Sequence, residues 1–181
     1  SDGKSILVPL DGVLYLAGVD GSVKVANGTG KGEMLNSVLS EKGKYLSFVR
    51  DNRLWVGPVG STVKPITPKE GSLVHWGEAE FIAPEELDRL TGYWWSPTDA
   101  RIAVERFDEK PVDVVTRAAI GTAGTKTFEQ RYPAAGTNNV DASLYVIDPN
   151  GGHKVKVDLG RDRDIYLTRV DWAPNGKKLY V

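Results

Sequence analysis

Two adjacent carboxylates, Glu85 and Glu86, are the residues of this sequence best suited to chemistry. Two neighbouring carboxylates can accept hydrogen bonds from one primary ammonium, each worth on the order of 1.5–3 kcal/mol when partly desolvated. A glycosidase-type acid/base pair is a weaker interpretation, because adjacent side chains do not readily flank one bond from opposite faces. The pair therefore predicts a cation-binding site. The surrounding segment, residues 78–97, also holds further carboxylates, an arginine and an aromatic run (Glu80, Asp88, Arg89, Tyr93–Trp95).

The same residues also fit a short surface helix. Pro84 suits the first helical position, and carboxylates in the first turn face the positive end of the helix dipole. Glu85 and Glu86 are then either ordinary N-terminal acids or a binding pair, and both interpretations stay open. Arg89 is expected either to pair with Glu86 or Asp88 on the helix or to contact a ligand.

The remaining chemistry-bearing residues are assigned structural roles. The Tyr93–Trp95 run enters a strand and is expected in the core rather than in a pocket. His75 is expected in a turn and His153 in a solvated turn. There is no cysteine, and the two histidines are far apart, so no metal site is predicted. The glycine-rich residues 27–32 lack the spacing of a phosphate-binding loop and are interpreted as a flexible turn, so no cofactor is predicted.

Composition excludes several classes of function. The 181 residues, 40% of them hydrophobic, suit one or one and a half domains with a real core. A net charge of −1, from 23 basic and 24 acidic residues, gives no global field for nucleic acid. No apolar run approaches the roughly 18 residues that cross a bilayer, so no membrane span is predicted.

A pattern of polar entry, tight turn and apolar strand occurs four times, with turn residues at Gly3, Gly43, Asp99 and Gly176. Three copies are followed by a second strand pattern, beginning near Val13, Arg53 and Ser143. The first interval, about 40 residues, is the period of a four-stranded propeller blade. The sequence therefore predicts an all-β fold: a partial β-propeller of about three to four blades of antiparallel strands, with a short helix carrying Glu85 and Glu86.

The longer later intervals predict insertions at about residues 77–93 and 107–136. The second contains a Gly/Thr-rich piece, residues 121–127, which is interpreted as a mobile loop or a hairpin tip. Because the sequence opens within a turn and stops inside a strand, residues 1–181 are expected to be a fragment of a longer propeller. Open strand edges and residues 107–136 predict self-association.

Four motifs resemble, in order, the N-terminal β-propeller of the dipeptidyl peptidase IV family: Glu85-Glu86 and residues 93–97, 102–109 and 131–136. Those serine exopeptidases carry an eight-bladed propeller followed by an α/β-hydrolase domain, and they remove X-Pro or X-Ala dipeptides from peptide N-termini. The resemblance implies that Glu85 and Glu86 bind the α-ammonium of a peptide substrate with a free N-terminus. It also implies that residues 107–136 form an arm supporting a homodimer. A periplasmic or secreted bacterial protein is favoured.

No catalytic residue is assigned in this chain, because it contains no Gly-x-Ser-x-Gly nucleophile elbow. The resemblance places the nucleophile in the protein's own C-terminal hydrolase domain, beyond Val181, so this chain alone should be inactive.

Two features depart from the family pattern. Where the family often has an acidic-aromatic pair and a third glutamate, this chain has Glu80-Phe81 and Pro84. A substrate-binding arginine on a long loop is replaced by a two-residue turn at Asp11-Gly12, and no arginine precedes Arg50, so that contact is absent or supplied otherwise. Two alternatives stay open: a non-enzymatic propeller scaffold for protein partners, and the propeller of a related prolyl oligopeptidase-type enzyme.

Overall fold

The structure of the chain, a computed structural model, describes residues 3–27, 33–162 and 164–181. Most of the predicted glycine-rich turn, residues 28–32, lies outside these ranges. The first sheet holds β1 (Ser5–Leu10), β2 (Val13–Gly18) and β3 (Val23–Asn27). The second holds β4 (Leu35–Leu39), β5 (Tyr45–Arg50), β6 (Arg53–Pro58) and β7 (Lys64–Pro65), hydrogen-bonded in chain order.

The third sheet is interrupted twice. It begins with β8 (Val74–Trp76), and after helix α1 (Ile82–Glu86) it continues with β9 (Tyr93–Trp95) and β10 (Ile102–Asp108). A separate two-stranded hairpin, β11 (Val114–Gly121) and β12 (Gly124–Arg131), precedes β13 (Asp141–Ile147) and β14 (Val155–Lys156). The sheet order is β14-β13-β10-β8, with β9 also paired to β10. The fourth sheet holds β15 (Asp171–Trp172) and β16 (Leu179–Tyr180).

These successive antiparallel meanders are the blades that the repeat predicted, and the all-β fold class is confirmed. The four predicted turn residues all have left-handed backbone, with φ of 67° at Gly3, 68° at Gly43, 60° at Asp99 and 67° at Gly176. Only glycine adopts this region freely, and Asp is among the few other residues that tolerate it. The shared conformation explains why the repeat could be detected from its turns. Residues 121–127 include the tip of the β11–β12 hairpin, as one of the two sequence interpretations expected.

The hydrophobic core lies between consecutive sheets. One cluster joins β5 and β6 of the second sheet to β8, β9 and β10 of the third, and includes Leu54, Trp76 and Ile102. A second cluster joins the first and second sheets around Leu14 and Phe48, and a third joins the third and fourth sheets. Burying apolar faces against the next sheet in the chain is the packing of propeller blades.

The second and third sheets are also joined by a buried polar contact at Asp99. Its carboxylate accepts hydrogen bonds from Ser40 Oγ at 2.7 Å, Lys42 N at 2.9 Å and Lys44 N at 3.4 Å. Asp99 therefore holds the turn of one repeat against the turn of the preceding one. In the same interface Trp95 Nε1 donates to Ser47 Oγ at 2.9 Å.

Replacing Asp99 with Asn should lower the free energy of unfolding by about 1–3 kcal/mol, because three donors lose a buried charged acceptor. Asn keeps the side-chain shape and tolerates positive φ, so the change isolates the charge. Urea unfolding followed by tryptophan fluorescence measures the difference. Asp113→Asn, at an exposed position, is the matched control and should stay within about 0.5 kcal/mol of the parent. Equal effects for the two variants would contradict the role assigned to Asp99.

Candidate functional site

Residues 78–91, here called the acidic loop, leave the third sheet between β8 and β9 and return to the same point. Both strands pair with β10, β8 at residues 106–108 and β9 at residues 102–104. Between them Gly77 N donates to Glu105 O at 2.9 Å, and Glu105 N donates to Gly92 O at 2.7 Å. Gly92 N also donates to Gly77 O at 3.1 Å. The loop thus closes directly over the backbone of Glu105.

The closure requires glycine at position 92. A Cβ there would lie 1.9 Å from the carbonyl oxygen of Glu78, a distance that no side chain can occupy. Because the obstructing atom belongs to the backbone, it cannot move aside as a flexible side chain would. The two ends of the acidic loop are therefore fixed relative to each other and to β10.

Helix α1 occupies the middle of the acidic loop, but it begins at Ile82 rather than at Pro84 as predicted. Glu80 explains the earlier start: its Oε2 accepts a hydrogen bond from Ile82 N at 2.7 Å, and its carbonyl oxygen accepts one from Ala83 N at 3.1 Å. Pro84 is the third residue of the helix, where the missing N–H would have had no intrahelical acceptor. Beyond the helix end at Glu86, Asp88 has a left-handed φ of 51°.

Glu85 and Glu86 lie at the end of α1 with exposed side chains. Neither makes a hydrogen bond or an ion pair with any residue that the structure describes. Both carboxylates are therefore available to a cation from outside the chain. Exposure alone also fits solvated acids, so the binding role of the pair stays a prediction.

The expected pairing of Arg89 with Glu86 or Asp88 is wrong, because Arg89 pairs with neither residue. Its Nη1 donates to Glu105 Oε2 at 2.6 Å, and its Nη2 donates to Glu105 Oε1 at 3.3 Å. Nη1 also donates to Thr91 O at 2.9 Å, and Nη2 lies 4.0 Å from Glu80 Oε1. All three charged side chains are buried: Arg89 is 5% exposed, Glu80 2% and Glu105 0%. We call Glu80, Arg89 and Glu105 the buried charge network.

The buried charge network holds two carboxylates and one guanidinium. Burial raises the pKa of Glu105 to about 7, although the charge and hydrogen bonds of Arg89 oppose the shift. Burial also raises the pKa of Glu80, against its hydrogen bond from Ile82. Glu80 Oε1 and Arg89 Nε have no hydrogen-bond partner among the described residues.

Sequence reasoning missed Glu105, although a signal was present. It directly follows the apolar run Ile102–Val104, and all of the first four residues of β10, Glu105 included, are buried. A charge in such a strand is almost always paired when it is buried. The partner could not be identified from spacing, because Arg89 approaches across the closed loop.

A residue from the approach to the fourth sheet contacts the end of α1. Arg169 Nη1 donates to Leu87 O at 2.8 Å, just beyond the last helical residue. Cationic side chains are favourable near the C-terminus of a helix, where carbonyl groups lack intrahelical donors. A cavity of about 320 Å³ lies beside this contact, lined by residues 88–91, Trp94 and residues 168–171.

His75 lies in β8 rather than in a turn, which corrects the prediction for this residue. Its Nδ1 is 3.0 Å from Glu78 Oε2, its Nε2 is 3.5 Å from Glu109 Oε2, and its ring stacks on Phe107 at 4.7 Å. Burial disfavours the charged ring, but hydrogen bonds to Glu109 and Glu78 raise the pKa of His75 to about 9. A charged His75 therefore links the start of the acidic loop to the end of β10.

Of the aromatic run, Tyr93 and Trp95 are buried in the core cluster as expected, but Trp94 is half-buried and lines the cavity of about 320 Å³. His153 is exposed as expected, with its Nδ1 2.5 Å from Asp148 Oδ2. Among the described residues, no group of three or more His, Cys, Asp or Glu side chains is placed to hold a metal ion. In the part of the chain that the structure describes, no helix has the length and apolar character of a membrane span.

The successive blades define a segment of a β-propeller. A solved structure, dipeptidyl peptidase 4 of Porphyromonas gingivalis, superimposes with a TM-score of 0.79 and 22% identity, covering 98% of this chain and 27% of that one. This likeness supports the fold. Residues 14–181 match the family described as the dipeptidyl peptidase IV N-terminal region. The chain belongs to this family, as its motifs predicted.

Two relatives show how the family divides. Dipeptidyl peptidase 8 of Mus musculus is 29% identical over 164 residues, covering 74% of this chain and 18% of the relative. A protein named inactive dipeptidyl peptidase 10, from Rattus norvegicus, is 27% identical over 142 residues, with the same two coverages. The chain thus spans about a fifth of the length of these relatives. Family membership includes both peptidases and a protein named as inactive.

The ion pairs of His75 should make stability depend on pH. Because the folded pKa of about 9 exceeds the ordinary value of 6.5, the stabilisation is fully present below pH 6.5 and is lost as the pH rises through 9. Replacing His75 with Gln should lower the free energy of unfolding by on the order of 1–3 kcal/mol at pH 6.5. The difference should shrink towards pH 10.

Urea unfolding between pH 6 and 10 measures the effect, and His153→Gln, at an exposed turn, is the matched control. The control should stay within about 0.5 kcal/mol of the parent at every pH. A His75→Gln difference that is constant over the whole pH range would show that the charge of the ring is not responsible.

Proposed function

We propose that this chain is the substrate-recognition part of a dipeptidyl peptidase IV-like serine exopeptidase, with Glu85 and Glu86 binding the α-ammonium of the peptide. The observation that carries the proposal is the exposed, unpartnered Glu85-Glu86 pair on a firmly closed loop, in a chain that belongs to this family. The preferred substrates are peptides with a free N-terminus and Pro or Ala at the second position. The reaction releases the N-terminal dipeptide.

In this proposal, one domain binds the substrate amine and another domain carries out the cleavage. Adjacent carboxylates can surround an ammonium, and each charge-assisted hydrogen bond contributes on the order of 1.5–3 kcal/mol. An ammonium fixed at a set distance from a nucleophile allows only one peptide bond to reach it. This chain contains no Gly-x-Ser-x-Gly elbow, so the nucleophile belongs to a C-terminal α/β-hydrolase domain. Alone, the chain should bind peptides weakly and should not cleave them.

In the full-length protein, Glu85→Gln combined with Glu86→Gln should reduce kcat/KM for an Ala-Pro chromogenic substrate by about 10²-fold or more, since two charge-assisted hydrogen bonds are lost. Glu33→Gln combined with Asp51→Asn removes the same charge from two other exposed carboxylates and should leave activity within about twofold. Near-normal turnover in the Glu85/Glu86 variant would rule out the ammonium-binding role.

A non-enzymatic scaffold is the second candidate, because one matched relative is named as inactive. Under that alternative the acidic loop would serve as a surface for a protein partner. The turnover assay with the Ala-Pro chromogenic substrate distinguishes the two functions. If the protein is a scaffold, the unmutated full-length protein will not cleave this substrate. A related prolyl oligopeptidase-type enzyme would cleave without any need for a free N-terminus.

We also propose that the β11–β12 hairpin, the arm predicted at residues 107–136, contributes to a homodimer. Its residues are almost all exposed, and its apolar side chains include Ile120, which is 84% exposed, and Phe128, which is 48% exposed. A two-stranded hairpin is marginally stable by itself, so covering by a second copy would stabilise it. At its base Phe81 packs edge-on against Tyr132 at 5.3 Å, which places the arm beside the acidic loop.

Ile120→Ser and Phe128→Ser test the arm. Phe128 is paired with Arg117 and Ile120 with Thr125, so the two apolar side chains lie on opposite faces of the hairpin. At least one variant should shift the full-length protein from dimer towards monomer in analytical ultracentrifugation, because an apolar contact is lost. Val155→Ser, at an exposed apolar position outside the arm, should leave the distribution unchanged. A monomeric parent protein, or dimers in all three variants, would contradict the proposal.

A further inference from the structure

We infer that Arg89 and Glu105 are positioning residues for the Glu85-Glu86 pair: their buried ion pair fixes the acidic loop on the third sheet. The inference rests on the proposed ammonium-binding function and extends it to two residues that do not touch the substrate. Both side chains are buried, with Arg89 5% exposed and Glu105 0% exposed, so the substrate amine is assigned to the exposed Glu85 and Glu86 rather than to them. Their effect must pass through the loop.

The ion pair between Arg89 and Glu105 connects the acidic loop to the third sheet. Arg89 follows α1 within the acidic loop, whereas Glu105 belongs to β10, the central strand beneath it. The two hydrogen bonds between them, at 2.6 and 3.3 Å, join the guanidinium to both carboxylate oxygens. Such a two-point contact restricts rotation as well as distance. Arg89 Nη1 also donates to Thr91 O, so the same guanidinium shapes the returning end of the loop.

Glu80 connects the buried charge network to helix α1. Glu80 precedes α1, and its carboxylate both accepts the hydrogen bond from Ile82 N and lies near Arg89 Nη2. The segment before the helix and the segment after it are therefore held by one cluster of charges. Glu85 and Glu86 lie between these two fixed points. A loosened network would let the helix move relative to the sheet.

Binding of the ammonium depends on the position of both carboxylates. Two carboxylates surround an ammonium only while their separation and orientation are maintained, and a displacement of about 1 Å can cost on the order of 10²-fold in rate. Removing one partner of a buried ion pair leaves the other charge uncompensated, so the local structure rearranges. Loss of Arg89 should therefore weaken the recognition of the substrate amine specifically.

The test uses the full-length protein and the variant Arg89→Met, which keeps much of the side-chain length without the charge. For an Ala-Pro chromogenic substrate we expect KM to rise and kcat/KM to fall by about 10²-fold. Labelling of the serine nucleophile by a fluorophosphonate, a reagent without an amine, should proceed at the parent rate. Arg101→Met is the control, since Arg101 also pairs with a carboxylate, that of Asp148 just after β13, and neither residue belongs to the acidic loop.

The outcomes separate this inference from the proposed function. Parent-like kinetics in Arg89→Met, together with a large loss in the Glu85→Gln/Glu86→Gln variant, would overturn the positioning role and leave the ammonium-binding role intact. Equal losses of substrate turnover and fluorophosphonate labelling would show a general structural role and would also overturn it. No loss in the Glu85/Glu86 variant would overturn both. If Arg89→Met does not fold, Glu105→Gln, which keeps the side-chain shape, gives the same readouts.

Discussion

The ion pair between Arg89 and Glu105 is the interaction on which the geometry of the acidic loop depends. Both charges are removed from water, and removing one partner of a buried ion pair costs about 3–5 kcal/mol in proteins. The pair works together with the close approach of Gly77 and Gly92, which closes the loop over the same residue of β10. These contacts hold helix α1 in place, although a helix of five residues is too short to be stable by itself.

The blades provide the rigid base for this loop. Apolar side chains fill the space between each sheet and the next, and polar contacts such as Asp99 with Ser40 link the turns of neighbouring repeats. Strand β4 of the second sheet, β9 of the third and β15 of the fourth line a common cavity of about 480 Å³, as expected where blades converge on an axis.

The sequence was sufficient for features that depend on local chemistry. The repeated turns could be located because left-handed backbone selects Gly or Asp, and the strands after them because apolar residues alternate. It was insufficient where distant residues decide the outcome. The start of α1 depends on a hydrogen bond from Ile82 to a buried Glu80, and the partner of Arg89 comes from another strand. The surroundings of His75 could not be predicted either, because its two carboxylate partners, Glu78 and Glu109, meet only after β8 pairs with β10.

The most direct test of ammonium binding by Glu85 and Glu86 is a crystal structure of the full-length protein, with its nucleophile replaced, bound to a tripeptide that has a free N-terminus. We expect the α-ammonium nitrogen to lie within about 3.2 Å of a carboxylate oxygen from both Glu85 and Glu86. An ammonium held by other groups, with both carboxylates still facing solvent, would contradict it.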